Sequence, residues 1–185
     1  RGGWSAKSVG LTSALPLPLA LLIGVFLYGG LALLYDASTK RLDSRADIMQ
    51  AAFRANASLW PRQRNAKVWA GIAIMVLNPV TEEVLMRGIL VHQLGQLIGS
   101  PVIPIAVGLV VNGVLHSYQG PRMIAWHMLF YGFTIALLYS PLALIGAVGA
   151  HVAGDAIPII TLRHQAREWR ELMRRTSSLA ARSAQ

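Results

Sequence analysis

The sequence predicts an all-α fold, a multi-pass transmembrane bundle of about five membrane helices with one further helix in the interface. Three observations predict it. Of 185 residues, 54% are apolar and only 14% are charged, against about 25% charged in an ordinary globular domain. The mean hydropathy is +0.48. The apolar residues fall in long runs rather than in strict alternation, which is a helical pattern and not that of half-buried strands.

The first membrane helix is expected over Leu15–Tyr35. Its length, about 21 residues, suffices to cross a bilayer, and it reads as a retained span rather than a cleaved signal peptide. The chain opens on Arg1 rather than Met, as expected of a trimmed piece. From Asp36 to Lys67 it is polar, with seven basic and three acidic residues. Within this segment Ile48, Met49, Ala52, Phe53, Leu59 and Trp60 recur at helical spacing against Arg45, Gln50 and Arg54. That pattern fits an amphipathic helix in the interface, or a solvated connection.

The second apolar stretch runs from Val68 to Ile98 and is interrupted by Asn78-Pro79. Proline there either opens a helix or kinks a continuous one. Gly99-Ser100-Pro101 turns the chain into a helix over Val102–His116, and Ser117–Pro121 is a polar turn. Met123–Tyr139 is the next helix, Ser140-Pro141 another turn, and Leu142–Leu162 the last apolar helix. The tail Arg163–Gln185 is basic, helical as far as Arg175 and rich in Ser and Ala beyond. Three units result: residues 1–67 with the first helix and the basic connection, a helical core over 68–162, and the tail over 163–185.

The formal net charge of +9 would suit an acidic partner. No nucleic-acid-binding motif accompanies it, and the basic residues lie mostly outside the apolar runs, so the bilayer surface accounts for them. The turns at 99–101 and 140–141 carry no charge, whereas 36–67, 117–122 and the tail hold fourteen of the 17 Lys and Arg. If 68–98 crosses once, those three segments share one side, the cytoplasmic side by the positive-inside rule. The C-terminus is then cytoplasmic. With no cysteine, disulfides and thiolate metal or redox sites are excluded.

Five of the eight acids lie in the polar segments; Glu82, Glu83 and Asp155 lie inside apolar stretches, as do Arg87, His116 and His151. A charge at the bilayer centre costs about 3 kcal/mol on insertion scales, so such residues face the protein interior and carry function or join helices. Glu83 and Arg87 are four apart with the acid first, the favourable order for a helical pair. Glu82 points about 100° away, which leaves it without a counter-ion in its own helix. His151 and Asp155 are likewise four apart. At about 1.5 Å per residue from the uncharged side, Glu82 lies about 24 Å deep, His116 about 22 Å, His151 about 15 Å and Asp155 about 21 Å. Three helices thus bring imidazoles and carboxylates to similar depth, which suits water activation by a general base or a metal site. Helix-joining is the alternative for each alone, and His92 and His127 are read as interhelical hydrogen bonders.

These residues resemble the CAAX prenyl protease and bacteriocin-processing (CPBP, or Abi) intramembrane protease family. Its three motifs, each on its own membrane helix, are Glu-Glu-x-x-x-Arg, Phe-x-x-x-His and His-x-x-x-Asn or Asp. Here they read Glu82-Glu83-Val84-Leu85-Met86-Arg87, Asn112-Gly113-Val114-Leu115-His116 and His151-Val152-Ala153-Gly154-Asp155. Gly88 follows the first and Ser117-Tyr118-Gln119-Gly120 the second, as in many bacterial members. The resemblance spans about residues 68–162. Asn112 departs from the usual Phe, a packing position, and Asp155 is the acidic form of the last residue.

The resemblance implies an integral protein of the bacterial plasma membrane that cleaves a peptide or membrane-protein substrate. It implies that Glu82 is the general base, holding a water with His116, that His151 and Asp155 bind the oxyanion, and that Glu83 and Arg87 hold the first motif in place. No cofactor is expected; a zinc-type divalent ion is the alternative, disfavoured by the lack of Cys and by only two well-placed His. An ionised carboxylate cannot donate a hydrogen bond, so Asp155 is either protonated or acts through His151. Some family members are scaffolds or bacteriocin-immunity proteins, and that non-catalytic reading is the alternative function. A transporter would show inverted repeats with matched helix breaks; Asn78-Pro79 is a single break.

Overall fold

The computed structural model describes residues 10–39 and 69–157, and among them the regular structure is helical. The expected interfacial helix and the basic tail lie outside the described residues. Five helices follow in order: α1 over Leu17–Thr39, α2 over 69–98, α3 over Val102–Leu115, α4 over Pro121–Leu138 and α5 over Ala143–Ile157. Gly99 caps α2 in the left-handed region at φ 78°, and Gly120 at φ 91° opens α4 after the short 3-10 turn Ser117–Gln119.

α1 starts two residues later than the apolar run. Ser13 and Pro16 are the reason. The Leu15 amide donates to Ser13 Oγ at 3.0 Å, and a residue before proline is steered out of helical conformation. The lead-in segment is tied to the turn before α5, with the Ala14 amide donating to Pro141 O at 2.9 Å and the Leu144 amide to Gly10 O at 3.0 Å.

α2 runs continuously through Asn78-Pro79, so the proline neither starts nor breaks it. Proline cannot donate its i→i−4 bond and crowds the preceding turn. The chain absorbs this by widening into a π-helix over Ala73–Leu77, closed by the Asn78 amide donating to Ala73 O. A second, longer π-helix spans Glu83–Gln93, directly after the short α-helical stretch Asn78–Glu82. Such widened turns are rare and frequently occur at functional sites.

α1 and α5 approach closely through glycine. A Cβ on Gly24 would overlap the carbonyl of Gly146, and one on Gly149 would overlap the carbonyl of Leu21. Small residues permit this backbone contact, the usual basis of helix association in lipid. The core lies where α4 and α5 meet the rest, around Tyr28, Val91, Tyr131, Leu138, Leu144 and Ala147. Outward faces carry apolar side chains, among them Phe26, Leu33 and Leu34 on α1 and Val102, Val110 and Val114 on α3. Leu17–Tyr35 is long and apolar enough to cross a bilayer, with mean hydropathy 2.3, and α3, the Met123–Leu138 part of α4, and α5 are shorter apolar helices. The molecule is an all-α bundle built for a membrane.

Candidate active site

The three motifs meet at the end of the bundle where α3 gives way to α4. One cavity of about 80 Å³ is lined by Glu82 from α2, His116 after α3, His127 from α4 and His151 and Asp155 from α5, with Tyr28 from α1 beside them. That volume holds several waters. Asn78, Asn112, Trp126, Phe130 and Gly154 complete the walls.

Beneath the cavity floor lies a buried charge cluster. Glu83 is 0% exposed and Arg87 1%, with Arg87 Nη1 3.3 Å from Glu83 Oε1. Arg87 Nη1 also donates to Glu82 Oε1 at 3.4 Å, and Glu82 is 24% exposed. The expectation that Glu82 lacks a counter-ion in its own helix is therefore corrected. The cause is the π-helix. An α-helix would set Arg87 about 140° around the axis from Glu82. A π-helix closes i→i+5 bonds and turns only about 80° per residue, which brings position i+5 to within about 50°. Arg87 then falls between the two carboxylates. Its Nε donates to Thr134 Oγ1 at 3.0 Å, and its guanidinium carbon lies 4.2 Å from the centroid of Tyr131. Gly108 of α3 makes room for the Tyr131 hydroxyl, which a Cβ there would overlap.

Glu83 does more than pair with Arg87. His151 Nδ1–H donates to Glu83 Oε1 at 2.7 Å, joining α5 to α2 across 68 positions of sequence. A carboxylate on one ring nitrogen fixes the ring's orientation and aims the other nitrogen. His151 Nε2 is thereby aimed towards Glu82 Oε2, at 4.0 Å, and Asp155 Oδ1, at 3.9 Å. The sequence pairs His151 with Asp155; the shorter and buried contact is with Glu83. Asp155 is 26% exposed and within hydrogen-bonding reach of the Asn78 side chain.

His127, read as an interhelical hydrogen bonder, and Asn112, read as a packing position, both lie at the cavity. The His127 ring stacks on His116, with centroids 3.6 Å apart and planes within 6°, and Asn112 Nδ2 donates to the His127 carbonyl at 3.1 Å. His92 stays within its own helix, where Gln96 Nε2–H donates to its Nε2 at 3.1 Å, so it is not an interhelical tie in that contact. Tyr28 likewise lines the cavity from α1, edge-on to Phe130 at 5.6 Å.

A family model described as Type II CAAX prenyl endopeptidase Rce1-like matches residues 64–157. The chain belongs to this family. The Rce1-like match takes in α2 through α5, and with them the three motifs. The Rce1-like proteins are CAAX-type proteases embedded in membranes. The chain has no match among curated proteins and none among solved structures. No three His, Asp or Glu side chains among the described residues are disposed to hold one metal ion.

Proposed function

We propose that this Rce1-like chain is an intramembrane endopeptidase of the glutamate type. The observation that supports it most is the division of labour between the two glutamates. Glu83 is sealed below the site and engaged by His151 and Arg87, whereas Glu82 faces a water-sized cavity shared with His116 and His151.

In this reading a water sits between Glu82 and His116. Glu82 takes its proton as the hydroxyl oxygen attacks the scissile carbonyl, forming the C–O bond. The oxyanion is met by Nε2–H of a His151 ring that carries a proton on both nitrogens, its Nδ1–H held by Glu83. Collapse breaks the C–N bond, and the leaving nitrogen takes the proton from Glu82. Arg87 orients Glu82 through its 3.4 Å contact. Asp155 and Asn78 border the carbonyl pocket, where Asp155 tunes His151 rather than donating itself. The substrate is a peptide or membrane-protein segment, of the prenylated C-terminal class that the family description names. The basic segments 36–67, 117–122 and 163–185 face the cytoplasm of a bacterial plasma membrane.

The test is cleavage of an internally quenched, farnesylated CAAX peptide by the chain in liposomes. Wild type should cleave it, and Glu82→Gln should lose about 10³-fold or more in kcat while remaining folded. Undiminished cleavage by Glu82→Gln would refute the general-base assignment. Absence of cleavage by a folded wild type would favour the non-catalytic reading.

A further inference from the structure

The family motif carries Phe one turn before its first histidine, and this chain carries Asn112 there. That departure coincides with a contact that the water-activating reading leaves unused. Asn112 and His116 are four residues apart on α3 and so share a face. Both engage the same residue of α4. The buried Asn112 amide donates to the His127 carbonyl at 3.1 Å, and the His127 ring lies flat on the His116 ring at 3.6 Å.

We propose that His127 is a positioning residue for His116, and that Asn112 is the clamp that sets it. His116 needs one. It is the residue that ends α3, at φ −100° and ψ 6°, followed by a 3-10 turn and Gly120. Its backbone has left the helical region, and no further α-helical turn follows to pack beside its ring. A flat ring stacked at 3.6 Å supplies one wall and removes the freedom to swing out of the cavity. The backbone anchor matters because a carbonyl held by Asn112 fixes where the His127 ring emerges from α4. A phenylalanine at 112 could fill space but could not hold a carbonyl. The chain thus exchanges an apolar contact for a directed one and uses it to hold the water-binding ring. The role requires a planar ring at 127, not a titrating one. This inference rests on the reading of His116 as a water-holding group.

Two measurements test it separately. In detergent micelles, with histidine labelled at 13Cε1 and His116 assigned by His116→Gln, the His116 resonance should carry the ring-current shift of a stacked neighbour. His127→Ala should abolish that shift, and His127→Phe should keep it. Asn112→Leu should weaken it. On the farnesylated CAAX peptide, His127→Ala should lower kcat about 10–100-fold with KM changed less than about twofold, as expected for lost orientation. His127→Phe should restore most of kcat, which a proton-transfer role for His127 would not allow. An unmoved His116 resonance in His127→Ala overturns the proposal, and so does a moved resonance with unchanged kcat. If Glu82→Gln cleaves normally, it is the water-activating reading that fails, while the resonance measurement still decides the stacking.

Discussion

Replacing Glu83 by Gln separates the buried acid from the one at the cavity. Glu83 is fully buried, and its Oε1 takes the His151 N–H at 2.7 Å and lies 3.3 Å from Arg87 Nη1. Its Oε2 has no hydrogen-bond partner among the described residues. An amide of the same shape removes the charge that two donors share. It must also place an NH₂ either against those donors or at the Oε2 position, where no acceptor waits. A hydrogen bond to a charged group contributes about 1.5–3 kcal/mol, and stranding one partner of a buried pair costs about 3–5 kcal/mol. Arg87 is not stranded, since Glu82 at 3.4 Å, Thr134 at 3.0 Å and the Tyr131 ring hold it. The loss therefore falls at about 2–3 kcal/mol. At about 2–4 °C per kcal/mol for a chain of this size, Tm should fall by about 4–12 °C. Glu82→Gln loses only a longer contact from a carboxylate 24% exposed, about 1 kcal/mol or less, and should stay within about 4 °C of wild type. Thermal scanning in detergent, paired with peptide cleavage, reads both. The expected pattern is Glu82→Gln stable and inactive, with Glu83→Gln destabilised and impaired through a misoriented His151. The assignment of roles is refuted if Glu83→Gln is as stable as wild type, or if the two Tm shifts come out reversed.

Further outcomes follow from the same geometry. Asp155→Asn should retain cleavage within about tenfold, because Glu83 and not Asp155 makes the short contact to His151 and an amide still accepts from Asn78. Asp155→Ala should lose about 10–100-fold; equal activity of wild type and both variants in the peptide assay would reduce Asp155 to a helix joint. Gly108→Val should displace the Tyr131 ring from Arg87 and cost about 1–3 kcal/mol, read as a lowered Tm; a wild-type melt would show that the close approach is dispensable. Gly149→Leu should force α1 off α5 and take Tyr28 out of the cavity, which crosslinking between cysteines introduced on α1 and α5 would detect as lost proximity. Chelation should leave cleavage intact, with no stoichiometric zinc in elemental analysis; metal-dependent recovery after chelation would reopen the hydrolytic-metal reading.

Much of the fold and the identity of the candidate residues were legible in the amino-acid sequence. Long apolar runs can only be helices when lipid supplies no partners for the backbone. A fixed rise per residue turns position in a run into depth, so Glu82, His116 and Asp155 could be placed at one level before any packing was known. Their rarity in such runs marked them, since an ionisable group in lipid is retained only with a reason. What depth cannot supply is azimuth and partner. Arg87 reaches both glutamates because α2 widens into a π-helix, and hydrophobic periodicity carries no sign of that extra residue per turn. Glu83 binds His151 rather than Arg87 alone because α2 and α5 meet at one register, set by interdigitating side chains across the whole bundle. His127 reads as a helix joint until α3 and α4 are docked, when it becomes the ring against His116. Local spacing determines which side chains share a helix face; only the packing of helices against one another decides which faces meet, because that depends on every contact at once.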